Sequence, residues 1–378
     1  MVNTNSFFYF AVVSFLGDKV FGAPAPSDTN AVGNVKANNE FNVQDVLHFP
    51  LTKKSYPFKL LRKPKQNTTS AVTLKNQGDF YSVTAYVGSQ KKEASVLLDT
   101  GSSDFWVKSS VYNPSDSQTS KDLNEKFEVE YGSGSITGEW YKDGLALSSL
   151  NKDFAKQLQL GVGKQGQGND GFDGILGIGL DGEESTQNTY PNYPHVLANQ
   201  GTIKKDAYSI YLGNQNSESG AVLFGGVDNA KYEGSLVKLP FSGTGENQAR
   251  SMVTLKEVDV GGQLNSVEQP VLLDTGTTIT MLPQSIVSAI SDQFGSCPDS
   301  GSVTFKFDGV SISVPASDIA SNSEGQCEVL VESSEDMGIA ILGDNFLRHA
   351  YLVFDNSDKT LSLAQAKYTS DSDIQPIT

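Results

Sequence analysis

The chain has 378 residues, with 28 Lys and Arg against 44 Asp and Glu, so its formal net charge is −16 at pH 7. This acidity argues against a nucleic-acid partner, because binding to phosphates requires clustered Lys and Arg. The length allows two ordinary domains, and 36 glycines among frequent Asn, Ser and Asp favour an all-β protein with many turns.

The first 23 residues have the features of a secretory signal peptide. The apolar run "FFYFAVVSFL", residues 7–16, is too short to span a bilayer, and small residues follow it near Ala23. No Lys or Arg precedes the run, and a buried N-terminal strand is the alternative interpretation. Because no later stretch is apolar over 18 residues, we expect an exported protein without a membrane anchor.

Residues 24–65 are predicted to form a basic propeptide. The stretch "LTKKSYPFKLLRKPK", residues 51–65, contains six Lys and Arg and no acidic residue. Such an arm can cover an acidic cleft at neutral pH and loosen when carboxylates become protonated, although a solvated charge run is the alternative. Just beyond it, Asn67 in Asn-Thr-Thr is a candidate glycosylation site.

Strand patterns dominate from Ala71 onward. Short segments rich in β-branched and aromatic residues are bounded by Gly, Asn or Asp: "FYSVTAYVG", "KFEVEYG", "AYSIYLG", "GAVLFGG", "VTFKFDG", "VSISVP" and "AYLVFD". Helical patterns are confined mainly to residues 282–295 and 194–200. The sequence "GVGKQG", residues 161–166, fits a phosphate-binding pattern, but no helix pattern follows it, and we predict a flexible loop.

Two similar stretches place an aspartate inside an apolar run. "SVLLDTGSSDFWV" contains Asp99, and "QPVLLDTGTTITML" contains Asp274. Each is followed at a similar distance by an apolar-apolar-Gly sequence, "ILGIG" or "ILGDN". This order predicts a duplicated lobe in which each half supplies one aspartate. A buried carboxylate must recover its lost hydration from a partner, and each aspartate is predicted to be the partner of the other.

Cys297 and Cys327 are the only cysteines in the sequence. In an exported chain, a disulfide is the expected state, and the loop that it closes would stabilise the fold by about 3–4 kcal/mol. Without a nearby His cluster, the two cysteines are a poor zinc site.

These motifs, in this order, resemble those of the pepsin-like aspartic proteases, and most closely the secreted yeast proteases called candidapepsins. The resemblance runs from about Ala71 to the C-terminus and includes "YGSGSITG", "FGGVDNAKYEG" and "ILGDNFLR". It implies an all-β dominated, bilobal fold with a few short helices and a cleft between lobes 66–242 and 243–378. It also implies that Asp99 and Asp274 are the catalytic pair, with no metal or other cofactor.

The residues beside the two aspartates suit this chemistry. Two close carboxyls cannot both ionise cheaply, so one can accept a proton while the other donates one, and pepsin is the standard example of this principle. Supporting residues are expected around the pair: Gly101 and Gly276 for close backbone approach, Thr100 and Thr275 to join the loops, and Ser102 and Thr277 to donate to the carboxylates.

The resemblance also assigns residues that contact the substrate. Tyr131 matches the tip of the flap, a hairpin that closes over the cleft, and Trp106 matches the residue that steadies this tyrosine. Substrate-binding positions carried over are Tyr131, Gly132, Ser133, Gly101, Gly276 and Thr277. Apolar residues such as Ile136 and Ile175 suggest a preference for bulky apolar side chains, and neutral Ser133 gives no reason to expect a preference for basic ones.

The sequence departs from candidapepsins at two places. The loop after Trp106 has no cysteine, where those relatives have a disulfide, and it is shortened. The Lys-Arg maturation dipeptide is absent, and only Arg62-Lys63 or Lys65 lies near the expected mature start. Self-cleavage in acid is therefore favoured over processing by a dibasic convertase.

The predicted protein is a secreted, monomeric acid endopeptidase, made as a zymogen, that takes polypeptide substrates and pepstatin-type inhibitors. A glycosidase with paired carboxylates is one alternative, although that class does not require duplicated Asp-Thr-Gly loops. A binding protein that lost catalysis is another, although both aspartates and Tyr131 are present. Zinc and serine hydrolase motifs are missing from the sequence.

Overall fold

The computed structural model describes residues 46–58, 76–131, 134–148, 154–167, 171–186, 188–215, 217, 219–297, 300–323 and 326–378. In this part of the chain, strands far outnumber helices, and the predicted β-dominated fold is confirmed. No helix among these residues is long and apolar enough to cross a membrane. The predicted signal peptide and Asn67 lie outside the described residues.

The first half of the chain forms twelve described strands and one short helix. They are β1 (Leu47–Phe58), β2 (Asn76–Val87), β3 (Lys92–Asp99), β4 (Phe105–Lys108), β5 (Lys121–Tyr131), β6 (Gly134–Ala146), β7 (Ala155–Gln167), β8 (Gly174–Gly177), α1 (Tyr193–Asn199), β9 (Ala207–Tyr211), β10 (Ser219–Phe224), β11 (Gly226–Asp228) and β12 (Val237–Pro240).

The second half adds twelve described strands and three helices. They are β13 (Met252–Val260), β14 (Gln263–Leu273), β15 (Thr280–Leu282), α2 (Gln284–Phe294), β16 (Ser302–Phe307), β17 (Val310–Pro315), α3 (Ala316–Ile319), β18 (Ala320–Ser323), β19 (Gln326–Val329), β20 (Val331–Ser333), β21 (Ala340–Leu342), α4 (Asp344–Leu347), β22 (Ala350–Asp355), β23 (Thr360–Gln365) and β24 (Ile374–Pro376).

Two large sheets organise these strands. A thirteen-stranded sheet has the order β12-β23-β22-β9-β10-β1-β2-β3-β8-β4-β7-β6-β5, and a seven-stranded sheet has the order β17-β16-β13-β14-β21-β15-β20. Strands β22 and β23 come from the second half of the chain, yet they lie in the larger sheet beside β9 and β12. The two halves therefore share one sheet, and the lobe boundary near residue 242 stays a prediction.

Strand β1 lies inside the larger sheet, although its residues belong to the predicted propeptide. It pairs antiparallel with β10 on one side and with β2 on the other. Leu51 is fully buried in the core, and Lys53 donates from Nζ to the carbonyl of Gln215 at 2.9 Å. This part of the basic segment is thus a sheet strand, and the remainder of the segment, residues 59–65, lies outside the described residues.

The two predicted helical regions are confirmed. The side chain of Asn192 caps α1 by accepting a hydrogen bond from the amide of His195 at 3.3 Å. Helix α2 buries Ile286, Ile290 and Phe294, which are spaced four residues apart and so share one face of the helix. Both helices therefore pack by a single apolar face against the strands.

The flexible loop predicted at residues 161–166 is wrong, because these residues belong to β7. A Cβ atom on Gly161 would lie 2.6 Å from the ring of Phe127, and one on Gly163 would lie 2.5 Å from Ile136. The glycines leave room for a larger side chain from β5 and another from β6. The pattern reflects packing rather than flexibility.

The sequence duplication is visible as two equivalent strand pairs. β3 runs parallel to β8, with Leu98 opposite Leu176, and β14 runs parallel to β21, with Leu272 opposite Ile341. Asp99 is the last residue of β3 and Asp274 directly follows β14, so each aspartate lies at the buried end of a strand that pairs with the apolar-apolar-Gly strand of its own half.

The predicted disulfide between Cys297 and Cys327 is confirmed, with a Cα–Cα distance of 5.5 Å. It joins the residues after α2 to β19, which holds the end of that helix against this strand.

Candidate active site

Asp99 and Asp274 are both fully buried and have matching hydrogen-bond partners. The amide of Gly101 donates to Asp99 Oδ1 at 2.8 Å, and the amide of Gly276 donates to Asp274 Oδ1 at 2.7 Å. The hydroxyl of Ser102 donates to Asp99 Oδ2, and that of Thr277 donates to Asp274 Oδ2 at 2.5 Å. The two loops thus present their carboxyl groups in the same way.

The threonine after each aspartate joins the two loops. The Thr100 hydroxyl donates to the carbonyl of Leu273 at 2.8 Å, and the Thr275 hydroxyl donates to the carbonyl of Leu98 at 2.7 Å. Each hydroxyl also accepts the amide hydrogen of the other threonine at 3.1 Å. Because all four bonds are buried, they fix the relative position of the two aspartates.

Gly101 brings the first loop into direct contact with the second aspartate. A Cβ atom on Gly101 would lie 2.6 Å from Cγ of Asp274. Any larger residue would displace that carboxyl group, so the close approach of the two loops depends on glycine at this position.

Burial raises the pKa of both aspartates, and the negative charge of Asp274 raises the pKa of Asp99 further. Hydrogen bonds from the neighbouring hydroxyl and amide groups act in the opposite direction. A hydrogen bond between the two carboxyls raises the pKa of Asp99 and lowers that of Asp274. The pair can therefore retain one proton and one negative charge, and it titrates as a unit.

The hairpin formed by β5 and β6 carries Tyr131 at its end, paired with Gly134. The indole Nε1 of Trp106 donates to the Tyr131 hydroxyl at 2.5 Å, and both side chains are buried. Gly132 and Ser133, predicted to contact substrate, lie outside the described residues. The apolar cluster beneath the hairpin includes the predicted specificity residues Ile136 and Ile175.

Sequence reasoning missed a buried polar network beside this hairpin. Asp104 accepts hydrogen bonds from the Tyr190 hydroxyl and, at 2.8 Å, from the amide of Ser185. Burial is the main cause of the raised pKa of Tyr131, and the negative charge of Asp104 raises this pKa further. The available signal was Asp104 itself, an acidic residue beside the apolar "FWV". Its partners lie about 80 residues away in the sequence, so the pattern does not reveal them.

Sequence reasoning also missed a cation near the aspartates. Arg250 is buried, and its Nη1 lies 3.9 Å from Oε1 of the fully buried Glu183. Arg250 lowers the pKa of Asp274, a smaller effect than burial or the direct hydrogen bonds. Neither residue lies in a recognisable motif, so only the folded chain reveals them.

Among the described residues, no three His, Cys, Asp or Glu side chains are grouped as a metal site would require. The chemistry available around the aspartates is proton transfer between buried carboxyls and hydrogen bonding from the hydroxyl and amide groups beside them.

Residues 80–366 match the eukaryotic aspartyl protease family. The chain belongs to this family. It is an aspartic-type endopeptidase, and the family and enzyme class predicted from the sequence are confirmed.

The protease is similar to curated proteins of Candida albicans. Candidapepsin-3 of Candida albicans strain WO-1 is 39% identical over 356 residues, which cover 82% of this chain and 85% of the relative. Secreted aspartic protease 4 of Candida albicans is 38% identical over 351 residues, with 81% of each chain covered.

A solved structure supports the same fold for the protease. The aspartic proteinase from Irpex lacteus aligns with a TM-score of 0.70 at 26% identity and covers 86% of this chain and 98% of its own. The predicted pepsin-like architecture is therefore confirmed at the level of the fold.

Proposed function

We propose that this aspartyl protease is an exported endopeptidase that hydrolyses polypeptides in acid by means of a water molecule activated by Asp99 and Asp274. The observation that carries the proposal is the matched environment of the two carboxyls. Each is buried, accepts one amide and one hydroxyl hydrogen bond, and lies in a loop joined to the other. This arrangement supports a shared proton.

Such a pair can carry out both proton transfers that peptide hydrolysis needs. The ionised carboxyl takes a proton from water as the water oxygen attacks the peptide carbonyl, and the protonated carboxyl gives its proton to the carbonyl oxygen. The tetrahedral diol then collapses as the C–N bond breaks. The pair delivers a proton to the leaving nitrogen and recovers one from the diol, so no acyl-enzyme forms.

The hairpin supports binding of an extended substrate above the pair. Because the Trp106–Tyr131 hydrogen bond holds the hairpin end over a buried apolar cluster, bulky apolar substrate side chains are expected beside the scissile bond. Direct hydrogen bonds from Gly132 and Ser133 to the substrate backbone stay a prediction. Sequencing the products from a mixture of unrelated peptides measures the preference.

The zymogen part of the proposal rests on β1. The predicted propeptide contributes a central strand with partners on both edges, so it is part of the folded precursor rather than a loose extension. A cut between Phe58 and Asn76 would separate this strand covalently from the rest of the chain. Together with residues 1–23 and the names of the secreted relatives, this supports export as an inactive precursor.

The decisive experiment is cleavage of an unfolded protein by the secreted chain across pH 3 to 8, with and without pepstatin. We expect activity only in acid and complete inhibition by pepstatin. Asp99→Asn and Asp274→Asn are the matched variants, because they keep the shape of each side chain and remove its charge. Acid activity in either purified, folded variant overturns the proposal, and a folded, processed wild type without activity favours a binding protein.

Maturation is tested with the same variants. After acid treatment of the wild type, mass spectrometry of the intact product should show that the chain now begins at a site between residues 58 and 76. Asp99→Asn should stay uncut alone and be cut when active wild type is added. If the variant is processed alone during secretion, a host protease performs the step. Size-exclusion chromatography of the product tests the predicted monomer.

A further inference from the structure

The buried pair formed by Glu183 and Arg250 lies between the two halves of the chain. Glu183 follows β8 in the first half, and Arg250 lies two residues before the start of β13 in the second half. The segments touch at Gly182, where a Cβ atom would lie 3.1 Å from Cβ of Ala249. Both charged side chains are shielded from solvent, with 0% and 5% of their surface exposed.

A continuous series of contacts leads from this pair to the catalytic loops. A Cβ atom on Gly179 would lie 2.3 Å from Oε2 of Glu183, and also 3.1 Å from the carbonyl oxygen of Thr100. The Glu183 carboxyl therefore lies against the backbone that supports the first loop. That loop in turn touches Asp274 through Gly101.

We propose that Arg250 is a positioning residue of the protease, whose buried charge, held by Glu183 behind the catalytic loops, favours the ionised form of the aspartate pair. The inference rests on the proposed role of Asp99 and Asp274. Removal of a cation from this site leaves the reacting groups in place and makes each proton of the pair harder to lose.

The charges around the pair determine how it responds to pH. Burial raises the pKa of Glu183 to about 8, against the opposing charge of Arg250, while Glu184 and Asp274 raise it further. Tyr208 also lies within the electrostatic range of Glu183. In acid, Glu183 is therefore neutral, and its carboxyl does not offset the positive charge of Arg250 while the enzyme works.

The test is the pH dependence of kcat/KM on a peptide substrate for wild type and three variants. Arg250→Met combined with Glu183→Leu replaces the pair with apolar groups of similar size, a change that folded proteins often tolerate. We expect both limbs of the bell-shaped profile to move to higher pH by about half a unit, which lowers activity about threefold on the acid side.

Two single variants serve as matched controls. Glu183→Gln mimics the neutral carboxyl and should leave the acid limb within experimental error of wild type. Arg250→Lys keeps the charge and should also keep both limbs. Thermal unfolding of each variant with bound pepstatin shows whether it is folded.

Three results overturn the proposal. The first is a double variant whose two limbs stay at the wild-type pH. The second is a double variant that is folded but inactive at every pH. The third is an Arg250→Lys variant whose limbs move as far as those of the double variant. If the double variant does not fold, the single variant Arg250→Met is measured in its place, and limbs that stay at their wild-type pH overturn the proposal. A shift of the limbs in Arg250→Lys also contradicts a role of charge. Failure of the proposed catalytic pair is distinguished by acid activity in Asp99→Asn or Asp274→Asn.

Discussion

Thr100 and Thr275 exchange hydrogen bonds across the two halves of the chain: each side-chain oxygen accepts the backbone amide of the other at 3.1 Å. Each hydroxyl then donates to a carbonyl of the opposite loop. These four bonds therefore fix one loop relative to the other, while each carboxyl keeps its own amide and hydroxyl donors.

Substitution Thr100→Val should remove one half of this connection. It leaves the Leu273 carbonyl and the Thr275 amide buried without these bonds, and we expect a loss of about 2–4 kcal/mol in the free energy of unfolding and a clear fall in kcat. Urea unfolding and turnover of a peptide substrate measure both. Thr100→Ser keeps the hydroxyl and should lose much less stability and activity. Equal losses in Thr100→Val and Thr100→Ser would contradict the interpretation.

Trp106→Phe should weaken the hairpin end by removing the only donor that the Trp106 side chain offers to Tyr131. Because Tyr131 is buried, we expect kcat/KM to fall about tenfold, equivalent to about 1.4 kcal/mol. The matched variant is Tyr131→Phe, alone and in combination. If the two residues act through this bond, the double variant should lose little more than either single variant, whereas fully additive losses would show independent roles.

The free energy of unfolding should be greatest in acid and should fall as the pH rises from about 5 to about 8. Burial raises the pKa of Glu184 to about 8, of Glu332 to about 7 and of Asp206 to about 6. Above the ordinary pKa of a carboxyl, the unfolded chain loses these protons first, so the folded state binds more protons and stability declines until the folded groups also ionise.

Urea unfolding of Asp99→Asn, which avoids self-digestion, measures this decline at pH 4, 6 and 8. Glu184→Gln keeps the acceptor for the Gly182 amide and removes one of the titrating groups, so its decline should be shallower. A urea midpoint of unfolding that stays constant or rises with pH would refute the raised pKa values assigned to these buried carboxyls.

Asp143→Ala should release the loop between β4 and β5. The fully buried Asp143 accepts hydrogen bonds from the Tyr112 hydroxyl, from Thr119 Oγ1 at 2.5 Å and from the amide of Gly144 at 2.7 Å. This network holds the loop after Trp106, whose sequence contains no cysteine. We expect a loss of about 2–3 kcal/mol in the free energy of unfolding.

Limited proteolysis of the Asp143→Ala variant should show new cuts within residues 109–120. Tyr112→Phe removes one of the three bonds and is expected to cost about 1 kcal/mol without new cuts. Unchanged stability and proteolysis in Asp143→Ala would show that apolar packing alone holds the loop.

The sequence predicted the features that repeat or that follow a local period. The two Asp-Thr-Gly stretches, the short β-branched strands and the apolar face of α2 are all encoded within about a dozen residues, and the structure has each of them. The disulfide was predictable because only two cysteines exist.

Other features depend on partners far apart in the chain. Asp104 meets Tyr190 and Glu183 meets Arg250 only after folding, so neither contact leaves a local pattern. "GVGKQG" was misassigned because its glycines accommodate Phe127 of β5 and Ile136 of β6, a packing reason that composition does not reveal. The basic residues of β1 likewise led to the prediction of a charged covering arm, although they belong to a strand.

The position of β1 separates two events in the life of the precursor. A cut anywhere in residues 59–75 breaks one covalent bond but leaves the first part of β1 paired with β10 and its last part paired with β2. The nicked protein should keep its sheet until this strand dissociates, and dissociation exposes two unpaired edges at once. Cleavage of the chain and dissociation of β1 therefore have separate rates. A precursor that has already been cut can still have the size of the uncut protein in any assay that does not denature it.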